Sequence, residues 1–164
     1  MILKKIIQKI DWVVAKFVAI LMGLLVVDVT WQVVSRFLLN SPSVYTEEVA
    51  LFLVLWIALL GAAYTYRKGA HLGLDIVVNK LEGKSKVYVQ KAAEVVCLAF
   101  ALLIMVYGGF ELVLLNIQLE QTSAALQMKV WIVYSVIPLS GVLISLYALE
   151  RIFSDVDEMN SEQI

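Results

Sequence analysis

A single cysteine, Cys97, excludes an intrachain disulfide, and a single histidine, His71, leaves no cluster that could ligate a metal or a haem. Cys97 lies inside an apolar run, where a lone thiol behaves as a small core- or lipid-facing residue. Proline occurs only at Pro42, within the turn-forming run Asn40–Ser43, and at Pro138, where a kinked helix is expected. No Walker A, GxSxG, HExxH, CxxC or glycine-rich dinucleotide fingerprint appears. No Ser/His/Asp set can be drawn around His71, so no catalytic residue, cofactor site or metal site is expected. Charge is scarce as well. Only 16% of residues are Asp, Glu, Lys or Arg, and the net charge is −1. The bases are dispersed among apolar runs and form no patch that would hold nucleic acid.

What the chain does have is apolar length. Its 164 residues are 62% hydrophobic, with a mean hydropathy of +0.88. A soluble domain carries about half its residues as apolar, and the excess here is most economically placed against lipid. The stretch Thr46–Asp75 organises the rest. Adjacent acids Glu47 and Glu48 open an apolar run of about eighteen residues, which closes on Arg67 and Lys68, followed by His71. The pattern predicts an all-α membrane protein forming a single membrane domain. Its expected elements are helix 1 over about 12–38, helix 2 over 46–66, an interfacial amphipathic segment over 70–85, helix 3 over 87–115 and helix 4 over 130–153.

The N-terminal run places lysines ahead of an apolar stretch, as signal peptides do. That stretch is too long for a signal h-region and no small-x-small site ends it, so a retained first helix is expected. Residues 1–11 alternate apolar and basic positions at helical spacing, as in a short segment on an anionic leaflet. Ser43 or Thr46 is expected to cap helix 2, with Glu47 and Glu48 favoured by its dipole. Ala58, Gly61, Ala62 and Thr65 form a small-residue face suited to close helix approach. Trp56, too deep for an interfacial belt, is expected to pack on a neighbouring helix. Gly108 and Gly109 would loosen helix 3 or admit a neighbour, and Lys91 and Glu94 stand at pairing distance in sequence. Eleven of the thirteen lysines and arginines fall on one side of the predicted spans, and only Arg36 and Lys129 on the other. The positive-inside rule then puts both termini in the cytoplasm, and Glu47, Glu48 and the 116–129 connection outside.

Ionisable residues inside a membrane invite a transport role. Asp28, Gln32 and Arg36 follow one another at i+4 along helix 1, and a charge in that stripe should face protein. Glu94 and Glu111 stand seventeen residues apart, roughly 100° out of alignment on a helix. A proton relay would want converging acids, so an autonomous proton-coupled small transporter is the lesser reading. A haem-bearing redox anchor would need histidines inside helices. Contacts with a partner polypeptide explain the charges better.

Four motifs in order carry a family resemblance. They are W-x-x-x-x-R-F (Trp31 to Phe37), E-E-V-A-L-F-L-x-x-W-x-x-L-L-G-A-A-Y (from Glu47), R-x-G-x-H-L-x-x-D (Arg67 to Asp75) and W-x-x-Y-x-x-I-P-L-x-G (Trp131 to Gly141). Together they resemble the small membrane subunit of tripartite ATP-independent periplasmic (TRAP) transporters, the DctQ-like family, over nearly the whole chain. The resemblance implies a multi-pass protein of the bacterial inner membrane that pairs with a large membrane subunit. The sodium-coupled path would lie in that subunit, and a periplasmic substrate-binding protein would deliver organic-acid anions such as sialic acids or dicarboxylates. It implies a non-catalytic scaffold that braces the large subunit and helps dock the binding protein. Candidate subunit-interface residues are then Asp28, Arg36, Glu47, Glu48, Trp56 and Glu111, with an Arg36 pairing to Glu47 or Glu48 as an equal alternative. Arg67, His71 and Asp75 become a candidate motif at the lipid boundary, and residues 40–45 and 118–129 candidate docking surface. Since the acidic tail ends shortly after helix 4, a copy separate from the large subunit is expected.

Overall fold

The computed structural model describes residues 2–41, 43–68 and 84–161. The helices are α1 (Ile2–Phe37), α2 (Val44–Arg67), α3 (Lys84–Phe100), α4 (Gly109–Gln118), α5 (Val130–Tyr134) and α6 (Val136–Ser161), with a π-helical stretch Ala101–Gly108 joining α3 to α4. Four stretches are long and apolar enough to cross a membrane: Ile7–Phe37, Val44–Arg67, Lys91–Gln118 and Val130–Ile152. Their number is the four that the hydropathy pattern predicts. No strand occurs among the described residues, only an isolated bridge between Thr122 and Lys129. The predicted interfacial segment, with His71 and Asp75, lies outside the described residues except for its last positions, which open α3. The basic N-terminal turns are not a separate element: Ile2 to Phe37 is one unbroken helix, and residues 2–22 hold no glycine or proline that would set those turns apart from the span.

The chain divides into two compact units, Met1–Tyr64 with Leu112–Val136, and Thr65–Glu111 with Ile137–Ile164. In the first, α1 packs along a narrow seam. Ile7, Val14, Leu21 and Ser35 are buried at seven-residue steps, and Asp28, half-buried, fills the remaining step. Val18, Leu25 and Gln32 form a half-buried second row, while Ile20, Val27 and Trp31 are exposed. A seven-residue repeat of this kind keeps one ridge of a helix against its neighbours. The helix ends where Asn40 adopts a left-handed conformation (φ 50°) and the Ser41 N–H returns to the Ser35 carbonyl at 3.1 Å. Ser43 stands before α2 as expected: its Oγ accepts the Thr46 N–H at a long 3.5 Å, and the Thr46 hydroxyl returns to the Ser43 carbonyl at 2.9 Å.

Trp56 supplies a cross-link in the same unit. Its Nε1–H donates to the Val133 carbonyl at 3.1 Å, and its ring meets Phe17 edge-on at 6.1 Å. The Val133 carbonyl lies beside the break at Ser135 that separates α5 from α6. Pro138, three residues on, has no N–H to return to the carbonyl four residues back, which favours an interruption here. The Ser135 hydroxyl donates to the Ile132 carbonyl at 2.6 Å. Side chains therefore serve the backbone where the ladder fails.

In the second unit, two glycines set the approach of helices. A Cβ at Gly109 would lie 2.9 Å from Ile137 Cγ2 and 3.0 Å from Pro138 Cδ, and one at Gly141 would lie 2.7 Å from Met105 Cβ. Each glycine thus receives the opposite helix where a side chain would not fit. The π stretch that precedes Gly109 buries Ala101 and Met105, and Met105 is the residue that meets Gly141.

Candidate functional site

Chemistry-bearing side chains cluster in each unit separately. In the second unit, Tyr66 at the end of α2 donates its hydroxyl to Glu94 Oε2 on α3. Arg151 Nη1 on α6 pairs with Glu94 Oε1 at 2.9 Å. One residue along α2, Arg67 Nη2 reaches both carboxylate oxygens of Glu150, at 3.1 and 3.2 Å. The guanidinium of Arg67 also lies over the Tyr147 ring and that of Arg151 over the Tyr66 ring, at 5.9 and 5.6 Å. Glu94 and Glu150 are buried, at 6% and 9% exposure. Two acids and two bases at the ends of apolar helices are therefore mutually neutralised, and the cost of holding charge near lipid is offset by ion pairing and hydrogen bonds. Arg67, expected at the lipid boundary, is engaged with Glu150.

In the first unit the adjacent acids at the start of α2 take different directions. Glu47 is exposed and lines a cleft of about 420 Å³ together with Gln32, Arg36, Phe37 and Leu51. No ion pair joins Arg36 to Glu47 or Glu48 among the described residues; the guanidinium instead lies 6.0 Å from the neighbouring Phe37 ring. Glu48 turns away from Arg36. Its Oε2 accepts the backbone N–H groups of Leu126 at 2.7 Å and Ala125 at 3.0 Å. These belong to a small hairpin: the Ser123 N–H donates to the Met128 carbonyl at 2.8 Å, and the Val130 N–H to the Gln121 carbonyl at 3.1 Å. The Met128 N–H donates to Ser123 Oγ at 3.2 Å. Glu120 and Gln127 adopt left-handed φ values of 47° and 52°, which lets the chain turn so tightly.

The predicted interface residues are thus dispersed. Asp28 is in the packed seam of α1, and its Oδ2 is enclosed without a hydrogen-bond partner among the described residues. Arg36 and Glu47 share the cleft; Glu48 holds the hairpin; Trp56 binds Val133. Glu111 is exposed on α4. Among the described residues nothing packs on the small-residue face of α2: Ala58, Ala62 and Thr65 are exposed, and a Cβ at Gly61 would meet nothing within 4 Å. A second, apolar cavity of about 280 Å³ lies beside Trp56, lined by Leu21, Phe52, Leu53, Met128 and Val133. Sequence reasoning missed Glu150, Arg151 and Tyr66. Their only signal is a polar group at the end of each apolar run, which does not say which ends meet. Among the described residues no three His, Cys, Asp or Glu side chains gather as a metal site.

Comparison with known proteins points to a single family. The family described as tripartite ATP-independent periplasmic transporters, DctQ component, matches residues 24–158. The chain is similar to the sialic acid TRAP transporter small permease protein SiaQ of Vibrio cholerae, with 30% identity over 93% of this chain and 84% of that protein. It is also similar to the C4-dicarboxylate TRAP transporter small permease protein DctQ of Rhodobacter capsulatus, with 29% identity over 67% of this chain and 48% of that protein. A match of 26% to the isethionate TRAP transporter permease protein DctMQ of Oleidesulfovibrio alaskensis covers 71% of this chain but 18% of that longer protein. With the family match covering most of the chain, the chain belongs to the DctQ component family, the small permease subunits of tripartite ATP-independent periplasmic transporters.

Proposed function

We propose that this multi-pass bacterial membrane protein is a non-catalytic scaffold in the inner membrane. It braces a large membrane subunit and offers part of the surface on which a periplasmic substrate-binding protein docks. The cargo is an organic-acid anion of the kind named for the relatives, sialic acid or a C4-dicarboxylate, and sodium coupling resides in the large subunit. Both termini face the cytoplasm, as the distribution of lysine and arginine favours.

The observation that carries this reading is that the buried and half-buried glutamates are each held by groups of their own unit. Glu94 and Glu150 are held by arginines, Glu48 by backbone N–H groups, and Glu111 stands exposed on another helix. A chain that moved ions by itself would keep such groups free to take up and release them. The open small-residue face of α2 supports a helix of the large subunit packing there, since small residues allow the close backbone approach on which association in lipid depends. Asp28, Arg36, Glu47 and Glu111 are the charged contacts proposed for that subunit.

The test is uptake into proteoliposomes. The large subunit and binding protein should need this chain for sodium-driven uptake of an organic acid, and this chain alone should transport nothing. Uptake by the chain alone, or full uptake without it, would overturn the proposal.

A further inference from the structure

We infer that Glu48 is a positioning residue: by accepting two backbone N–H groups at the tip of the 122–129 hairpin, it fixes that hairpin as a preformed docking face for the binding protein. The inference rests on the docking role proposed above and deepens it. Glu48 sits on α2, while the N–H groups it accepts belong to residues 77 and 78 positions away. The hairpin itself is slight. It has one bridge, Thr122 to Lys129, and a few backbone bonds around a four-residue tip. Two-stranded hairpins of this size are marginal alone, and the left-handed Gln127 adds strain. An anion at the tip supplies charge-assisted hydrogen bonds, which are stronger than the neutral ones of the hairpin.

The direction of the side chains gives this anchoring a use. Ser123 is buried, and Ala125 and Leu126 are half-buried toward Glu48. Gln121, Thr122, Ala124, Gln127 and Lys129 are exposed on the hairpin, which connects two spans and so stands clear of the lipid. A face already ordered before encounter loses less freedom on docking than a floppy loop would. Glu48 then acts through the backbone rather than by touching the partner. That differs from the subunit contact its sequence position suggests.

The experiment uses the assembled transporter in proteoliposomes, with uptake measured against binding-protein concentration. With Glu48→Ala, the large subunit still co-purifies and maximal uptake stays within about twofold, but the half-saturating binding-protein concentration rises about 5- to 20-fold. Glu48→Gln keeps one accepting oxygen and gives a smaller rise. Amide exchange at Ala125 and Leu126 speeds up in the Ala variant and less in the Gln variant. An unchanged half-saturation despite faster exchange overturns the inference, as does unchanged exchange. Loss of co-purification overturns it too, and assigns Glu48 to assembly. Wild-type uptake that does not need this chain sinks the scaffold reading itself and this inference with it.

Discussion

Arg151 Nη1 lies 2.9 Å from Glu94 Oε1, joining α6 to α3 in the second unit. The other oxygen of the same carboxylate accepts the Tyr66 hydroxyl from α2. One buried acid thus ties three helices. Arg151 and Glu94 are 27% and 8% exposed as side chains, so solvent screens this pair only in part. Removing the acid leaves a guanidinium and a phenol without their acceptor in a weakly hydrated place. Glu94→Ala is therefore expected to cost about 1–3 kcal/mol, read as a lower melting temperature of the detergent-solubilised protein. Exchanging the charges, Glu94→Arg with Arg151→Glu, should recover part of the loss. Equal melting temperatures for Glu94→Ala and wild type would show that the pair contributes nothing.

The glycines separate into two classes. Gly141→Ala forces a Cβ to 2.7 Å from Met105 Cβ, and Gly109→Ala forces one to 2.9 Å from Ile137 Cγ2. Each should destabilise by about 1–3 kcal/mol through overpacking. Gly61→Ala meets nothing within 4 Å, so the isolated subunit should melt as wild type. In the assembled complex, however, Gly61→Leu should weaken co-purification with the large subunit, because it fills the small-residue face of α2. Intact assembly of Gly61→Leu would remove that face from the proposed contact.

Asp28 makes a different demand. A carboxylate oxygen enclosed without a hydrogen-bond partner among the described residues is a cost to the isolated chain. Asp28→Asn keeps the shape and removes the charge. The isolated subunit should be at least as heat-stable with Asn, while the yield of complex with the large subunit should drop several-fold. A variant as weak alone as in the complex would mean that Asp28 serves only the fold of its own chain.

Topology can be read by labelling. In a Cys97→Ala background, Gln121→Cys should react with a membrane-impermeant maleimide added outside spheroplasts, and Lys68→Cys should react only after lysis. The reverse pattern would invert the proposed orientation and place the 122–129 hairpin in the cytoplasm.

The four spans were legible because lipid imposes length and apolarity on every turn, and those are local properties of sequence. Trp56 reads as a residue packed on a neighbouring helix and as a candidate subunit contact, and its sequence position does not point to the Val133 carbonyl, 77 residues away, to which it donates. The ion pairs were not legible either. Arg67 reads as the boundary mark of one span, and nothing in its own neighbourhood points to Glu150, 83 residues away. Glu47 and Glu48 are neighbours in sequence and look alike, yet helical rotation of about 100° per residue sends one to the open cleft and the other to a hairpin. The π-helical stretch left no mark in its composition.

The seven-residue spacing of buried positions on α1 has a consequence for how the chain can vary. Ile7, Val14, Leu21, Asp28 and Ser35 hold one ridge of a helix of 36 residues, and a period of seven makes that ridge wrap left-handed around its neighbours. The exposed positions, Ile20, Val27 and Trp31 among them, lie outside that ridge and the half-buried row beside it. Substitutions there can follow the thickness of a host membrane, or the surface of a differing partner, without disturbing the chain that carries them. α1 can thus be retuned without refolding.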